Sequence, residues 1–176
     1  AEAAFDKAIE LDSHFSEALA NKGTILSAKG NDSEAIDTFK QAIKLNSKNH
    51  KAHYYLGEAL AKQGRYHEAY NALNTSLYQN RNSEMVYAKM GDVLSAQGNE
   101  SAAISKYREA IRIKPEYAPA YQKLATLFDN RGDGELAMAE LKSALNANPK
   151  LDTLKLDLGR MSLAVDKPEQ ALRYYT

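Results

Sequence analysis

The chain has no cysteine and no tryptophan, only 4 prolines in 176 residues, and no excess of either charge. Without cysteine there can be no disulfide, no thiolate nucleophile and no Cys-ligated zinc. The balance of 23 Lys+Arg against 23 Asp+Glu argues against a protein whose main work is gripping polyanions, so no nucleic-acid partner is expected. No apolar run approaches the roughly 18 residues a membrane helix needs, and the sequence opens without a charged-then-apolar leader. Serines are plentiful, but none stands in a G-x-S-x-G or S-x-x-K setting beside a base. No Gly-rich phosphate loop is present; Gly132-Asp133-Gly134 reads as a turn between helices. His50 and His53 share a helix face but lack further ligands, so no metal site and no cofactor are expected. No enzyme is expected within these residues.

What is present is regular. Gly23, Gly57 and Gly91 are 34 residues apart, and Gly159 falls on the same lattice with Ala125 at the skipped place. Gly30, Gly64, Gly98 and Gly132 form a second row with the same period, leaving only Gly134 of the 9 glycines off the lattice. Alanines fill a third row (1, 35, 69, 103, 137, 171). A fourth is large: Phe5, Phe39, Leu73, Tyr107, Leu141 and Tyr175. A fifth runs Ala8, Ala42, Ser76, Ala110 and Ala144.

Within one period, Leu56, Ala59 and Leu60 recur at helical spacing, and Gly64 stops that helix where a residue without Cβ can turn the chain. Arg65–Glu68 opens a second helix carrying Ala69, Tyr70, Leu73 and Leu77. A mid-helix glycine costs about 1 kcal/mol relative to alanine. Its recurrence implies that close approach of two helices outweighs that cost, with the large row filling the gap to the neighbouring unit. Pro115 and Pro149 fall in linkers, and Pro119 and Pro168 near helix starts, where the missing N–H costs little. No segment alternates with the period of a half-buried strand. The expected class is all-α.

Two helices per 34 residues with small residues at these places resemble the tetratricopeptide repeat (TPR). The family pattern W-x-x-L-G-x-x-Y…A-x-x-x-F…P falls on Tyr121, Leu124, Ala125, Phe128, Ala137, Leu141 and Pro149. It falls equally on Tyr87, Met90, Gly91, Leu94, Ala103, Tyr107 and Pro115. The Trp place holds Leu19, His53, Tyr87, Tyr121 and Lys155, never Trp, and the last turn glycine is Asp166. The resemblance covers the whole chain and implies a right-handed superhelical solenoid of antiparallel helix pairs with the first helices on its concave face. The expected units are 16–49, 50–83, 84–117 and 118–151. Residues 1–15 would be the second helix of a truncated unit, and 152–176 a partial unit. A chain cut in this way is expected to be a segment of a longer repeat protein.

The resemblance also implies the work: a protein–protein interaction scaffold holding a peptide or partner helix in the groove. The groove places implied by the family fall on Asn21, Lys51, Tyr54, Tyr55, Glu58, Lys89, Asp92, Gln122, Lys123 and Thr126. The carboxylate clamp of chaperone-binding members requires Lys and Asn, then Asn, then Lys and Arg across three units. Here those places hold Ala20, Thr24, Tyr55, Met85 and Lys89, so binding of acidic chaperone tails is not expected. Unit 50–83 carries Lys51, Lys62, Arg65 and Arg81 against Glu58 and Glu68, while 1–15 is acidic. Two alternatives stand beside the scaffold. One is self-assembly through the apolar rows Phe5/Ile9 and Leu158/Leu172; the other is a recruiting arm of a larger enzyme or secretion machine. The sequence does not name a compartment; cytoplasm is the default, and a periplasmic or membrane-tethered parent stays open.

Overall fold

The computed structural model describes residues 2–165 and 167–175, with side chains from His14 onward apart from Tyr175. Ten α-helices follow in chain order among the described residues, without a strand. They are α1 (Glu2–Ala28), α2 (Asp32–Leu45), α3 (His50–Lys62), α4 (Tyr66–Gln79), α5 (Glu84–Ala96), α6 (Glu100–Ile113), α7 (Ala118–Asn130), α8 (Gly134–Ala147), α9 (Thr153–Ala164) and α10 (Pro168–Tyr175).

Each odd helix packs most heavily on the even helix that follows it, and the glycine rows explain how. Gly30, Gly64, Gly98 and Gly132 all have positive φ, between 74° and 82°, which a side chain would strain. They place the next N–H to close each helix from five residues behind, as in Arg65 N–H to Leu60 C=O at 3.0 Å and Asn99 N–H to Leu94 C=O at 2.9 Å. Lys167 N–H makes the same bond to Ser162 C=O at 2.8 Å; the intervening turn place, Asp166, lies outside the described residues.

The mid-helix glycines answer to sterics. A Cβ on Gly23 would stand 2.5 Å from the Phe39 ring, one on Gly91 2.5 Å from the Tyr107 ring, and one on Gly57 2.7 Å from Leu73 Cγ. The large row therefore fills the gap inside its own helix pair as well as meeting the neighbouring unit as the sequence suggests, where Phe39 stacks on Tyr55 and Tyr107 lies against α7. Phe39, Leu73, Tyr107 and Leu141 are almost wholly buried, each contributing about 1.5–3 kcal/mol by burial. Ser76 interrupts an otherwise alanine row, and its hydroxyl donates to His50 C=O at 2.8 Å, joining α4 to α3. Asn49 accepts from Ala52 N–H to cap α3 and donates to Ser16 Oγ, which in turn donates to Ala42 C=O. This buried chain of bonds ties α1, α2 and α3 together.

At the start the structure departs from the sequence expectation. Residues 2–28 run as one helix with no turn near Phe15. The later linkers carry helix-stopping chemistry: Asn46 and Asn148 side chains accept from the N–H two residues on, and Pro115 and Pro149 cannot continue a helix. The matching stretch, Leu11–Phe15, has neither Asn nor Pro. The self-assembly expectation also changes. Leu158 is fully buried while Leu172 is 65% exposed, and the side chains of Phe5 and Ile9 lie outside the described residues.

Contacts between pairs set the shape. α1 packs against α3, α3 against α5, α5 against α7 and α7 against α9, whereas successive even helices have no such backbone approach among the described residues and α6 meets α8 at arm's length, through Arg108 and Glu140 at 3.2 Å. The odd helices are thus crowded on the inside of a curve and the even helices splayed on its outside.

Candidate functional site

Four cavities recur along the inner face, one at each junction of successive odd helices. They measure about 180 Å³ (α1/α3), 270 Å³ (α3/α5), 340 Å³ (α5/α7) and 370 Å³ (α7/α9). Equivalent repeat places line them: Thr24, Glu58, Asp92 and Thr126 on one row, and Tyr55, Lys89, Lys123 and Asp157 on the next. A fifth cavity of about 200 Å³ opens where the first turns of α3 and α5 meet. Lys51, Tyr54, Tyr55, Met85 and Val86 line it together with His50, Ser76, Asn80 and Ser83. Of the groove residues expected from sequence, only Asn21 lines none of these; it is exposed on α1, and its carbonyl accepts from Thr24 Oγ1.

The α3–α5–α7 stretch is a charge ladder. Lys89 Nζ lies 2.9 Å from Glu58 Oε1 on α3 and 3.6 Å from Asp92 Oδ2 on its own helix. Lys123 reaches Asp92 Oδ1 from α7 at 3.2 Å. The Tyr107 hydroxyl donates to the same Asp92 Oδ1 at 2.9 Å. Half-burial on its own would lower the Lys89 pKa, but the bond to Glu58 and the charges of Glu58 and Asp92 outweigh it and hold the ammonium above its ordinary range. Burial, followed by the Asp92 charge and bond, pushes the Tyr107 phenol well above its ordinary range. Further along, Gln122 Nε2 donates to Asp157 Oδ2 at 2.6 Å, and Arg160 approaches Asp157 Oδ1 at 3.4 Å. Thr126 turns its hydroxyl back to Gln122 C=O within α7.

The cavity at the first turns of α3 and α5, walled by Tyr54 and Met85, is different. Tyr55 stacks on Phe39 with ring centroids 5.9 Å apart and meets Tyr54 edge-on at 5.2 Å. Burial is the main reason the Tyr54 phenol titrates far above its usual range, helped by Glu58, Tyr117, Tyr55 and Asp92. It therefore stays a neutral hydrogen-bond donor. Met85 is 47% exposed at the cavity mouth. Lys51 is exposed and makes no ion pair among the described residues.

The sequence lattice missed Tyr117, which faces Tyr54 and Lys89, and the acceptor role of Asp157. The available signal was spacing: Glu58/Lys89 and Asp92/Lys123 are each 31 residues apart, the offset that brings one repeat's helix middle against the next. Among the described residues no group of three or more His, Asp or Glu is placed to hold a metal ion, and no helix is long and apolar enough to cross a membrane. Of the residues that precede the even helices, Asn99 accepts from Ala102 N–H, whereas Asn31 and Asp133 make no side-chain cap bond. His53 is half-buried with Nε2 3.1 Å from Ser47 C=O; burial lowers its pKa and that bond partly offsets the shift.

Comparison with known proteins agrees with this architecture. No curated protein matches the chain. Among solved structures, TTC0263, a TPR protein of Thermus thermophilus, superposes with a TM-score of 0.69 at 22% identity, covering 91% of this chain and 88% of its own. PilF of Pseudomonas aeruginosa gives 0.77 at 17% identity, covering 93% and 75%. YrrB, described as a TPR protein with an unusual peptide-binding site, gives 0.63 at 20% identity, covering 97% and 88%. At these identities the likeness establishes the fold alone. Family models match as well, one described as TPR repeat over residues 23–64 and one as tetratricopeptide repeat over residues 50–176. The second spans well over half of the sequence, and the chain belongs to the tetratricopeptide repeat family.

Proposed function

We propose that this chain, a repeat module for protein–protein interaction, binds an extended peptide or partner helix along its concave groove. The observation that carries this reading is the Tyr54/Met85 cavity between α3 and α5. It combines two half-buried aromatic rings, a half-exposed methionine and an unpaired lysine on one wall. Tyrosine and methionine at the centre of a concave surface are typical anchors for a partner side chain. YrrB, a neighbour with the same fold, is described as carrying a peptide-binding site of its own. The chaperone-tail clamp finds no support, because Lys89, the one cation at a clamp place, is already held by Glu58 and Asp92. The module acts by holding a partner, not by catalysis.

The test is comparative capture from cell extract by the wild-type chain, Tyr54→Ala, Lys51→Glu and the outer-face variant Lys40→Glu. The expected result is a set of partners bound saturably by wild type and Lys40→Glu and weakened at least tenfold by both groove variants. Partner binding left intact by Tyr54→Ala and Lys51→Glu would overturn the assignment.

A further inference from the structure

We infer that the groove's ligand is an extended peptide that seats one bulky apolar side chain in the Tyr54/Met85 cavity and sets a side-chain carboxylate beside it on Lys51. This rests on the groove being a peptide site and adds what that peptide must carry.

Volume and lining choose the anchor. A cavity of about 200 Å³ walled by Tyr54, Tyr55, Met85 and Val86 fits one large aliphatic or aromatic side chain, and an apolar occupant removes those walls from water. Charge chooses the neighbour. Along the inner face, Lys89 and Lys123 are neutralised by Glu58 and Asp92, and Arg160 faces Asp157. Lys51, on the cavity wall, has no such partner among the described residues. A peptide acid placed there forms a charge-assisted bond without breaking one. The same acid over the ladder would have to compete with Asp92 or Glu58, and a peptide cation there would displace Lys89 or Lys123. Complementarity is therefore confined to the cavity between α3 and α5. The hydroxyls of Tyr54 and Tyr55 have no acceptor among the described residues, which leaves two donors for peptide carbonyls. Because recognition uses a side-chain carboxylate, a free peptide C-terminus is not required.

A random peptide library, displayed internally in a coat protein so that no member has a free C-terminus, tests this when panned in parallel on wild type, Lys51→Glu and Tyr54→Ala. Lys51 is exposed, so its variant should fold; circular dichroism confirms that for both variants. The expected outcome is a wild-type consensus with a bulky apolar residue close to Asp or Glu. Lys51→Glu should select Lys or Arg at that acidic place, and Tyr54→Ala should lose the apolar preference. Synthetic consensus peptide should bind Lys51→Glu at least tenfold more weakly than wild type. A consensus that keeps the apolar anchor but shows no acidic preference, or that is unchanged on Lys51→Glu, overturns this inference and leaves the groove site standing. Enrichment identical on wild type and Tyr54→Ala, or none at all, overturns the groove reading itself.

Discussion

Lys51 and Lys89 stand on the first helices of neighbouring pairs, both facing the inside of the curve, yet their surroundings are opposite. Lys89 is held between Glu58 and Asp92, with Tyr107 and Lys123 converging on the same aspartate. Lys51 borders two tyrosines and a methionine and meets no acid among the described residues. The repeat supplies the same backbone places to both regions. What differs is whether adjacent units present complementary charges. Where they do, the groove wall is bonded to itself and serves to join repeats. Where they do not, it keeps an unsatisfied face for something else. On the proposed function, the contrast separates residues that hold the solenoid from residues available to a partner, and mutations should sort accordingly.

The largest effect is expected behind the ladder. Gly91→Ala places a methyl group 2.5 Å from the ring of Tyr107, which is 2% exposed and cannot swing into solvent. Overpacking of this kind costs about 1–3 kcal/mol and should also pull the Tyr107 hydroxyl off Asp92. Met85→Ala, on the wall of the Tyr54/Met85 cavity, removes a half-exposed side chain and should cost under about 1 kcal/mol. Urea denaturation of the two variants decides the matter. Equal losses would mean that the cavity wall is as structural as the ladder, and the distinction would fall.

Next comes the ladder's hub. Asp92→Ala leaves the Tyr107 hydroxyl and two lysines without their shared acceptor, and should lower stability by about 2 kcal/mol. Lys51→Glu should stay within about 0.5 kcal/mol of wild type, as exposed substitutions without a buried partner do. A destabilisation by Lys51→Glu that matched Asp92→Ala would show that Lys51 has a structural partner after all.

These two regions were unequally legible in the sequence. Sterics were readable, because a glycine kept every 34 residues records a place where a Cβ collides, and Gly23, Gly57 and Gly91 each do so against the large row. The turn glycines were readable for a similar reason, since their positive φ excludes most side chains. Glu58, Lys89, Asp92 and Lys123 were each legible as groove places, but their pairing was not. A 34-residue lattice aligns equivalent places, whereas contacts across units join places 31 apart, and that offset depends on how far one pair rotates against the next. The run-on of α1 was hidden for the opposite reason. The lattice continues through Leu11–Phe15 while the Asn and Pro that stop helices at later linkers do not.

The subtlest expected effect is on alkaline stability, and its sign follows from the same ladder. Burial and Asp92 raise the folded-state pKa of Tyr107, and Glu58 with Asp92 raises that of Lys89. A group whose pKa is raised by folding contributes stability that is complete below its unfolded value and is lost as pH climbs through the folded one. Both unfolded values lie near 10, so the ladder should hold its full strength at neutral pH and begin to weaken only above about pH 10. Tyr107→Phe keeps the ring against Gly91 but removes the hydroxyl, costing about 1 kcal/mol at pH 7. Because the variant has no phenol to ionise there, its stability should fall less steeply than wild type between pH 10 and 11, and the two curves should converge. Parallel curves for wild type and Tyr107→Phe would mean that neither burial of the phenol nor its contact with Asp92 couples the protonation of Tyr107 to folding.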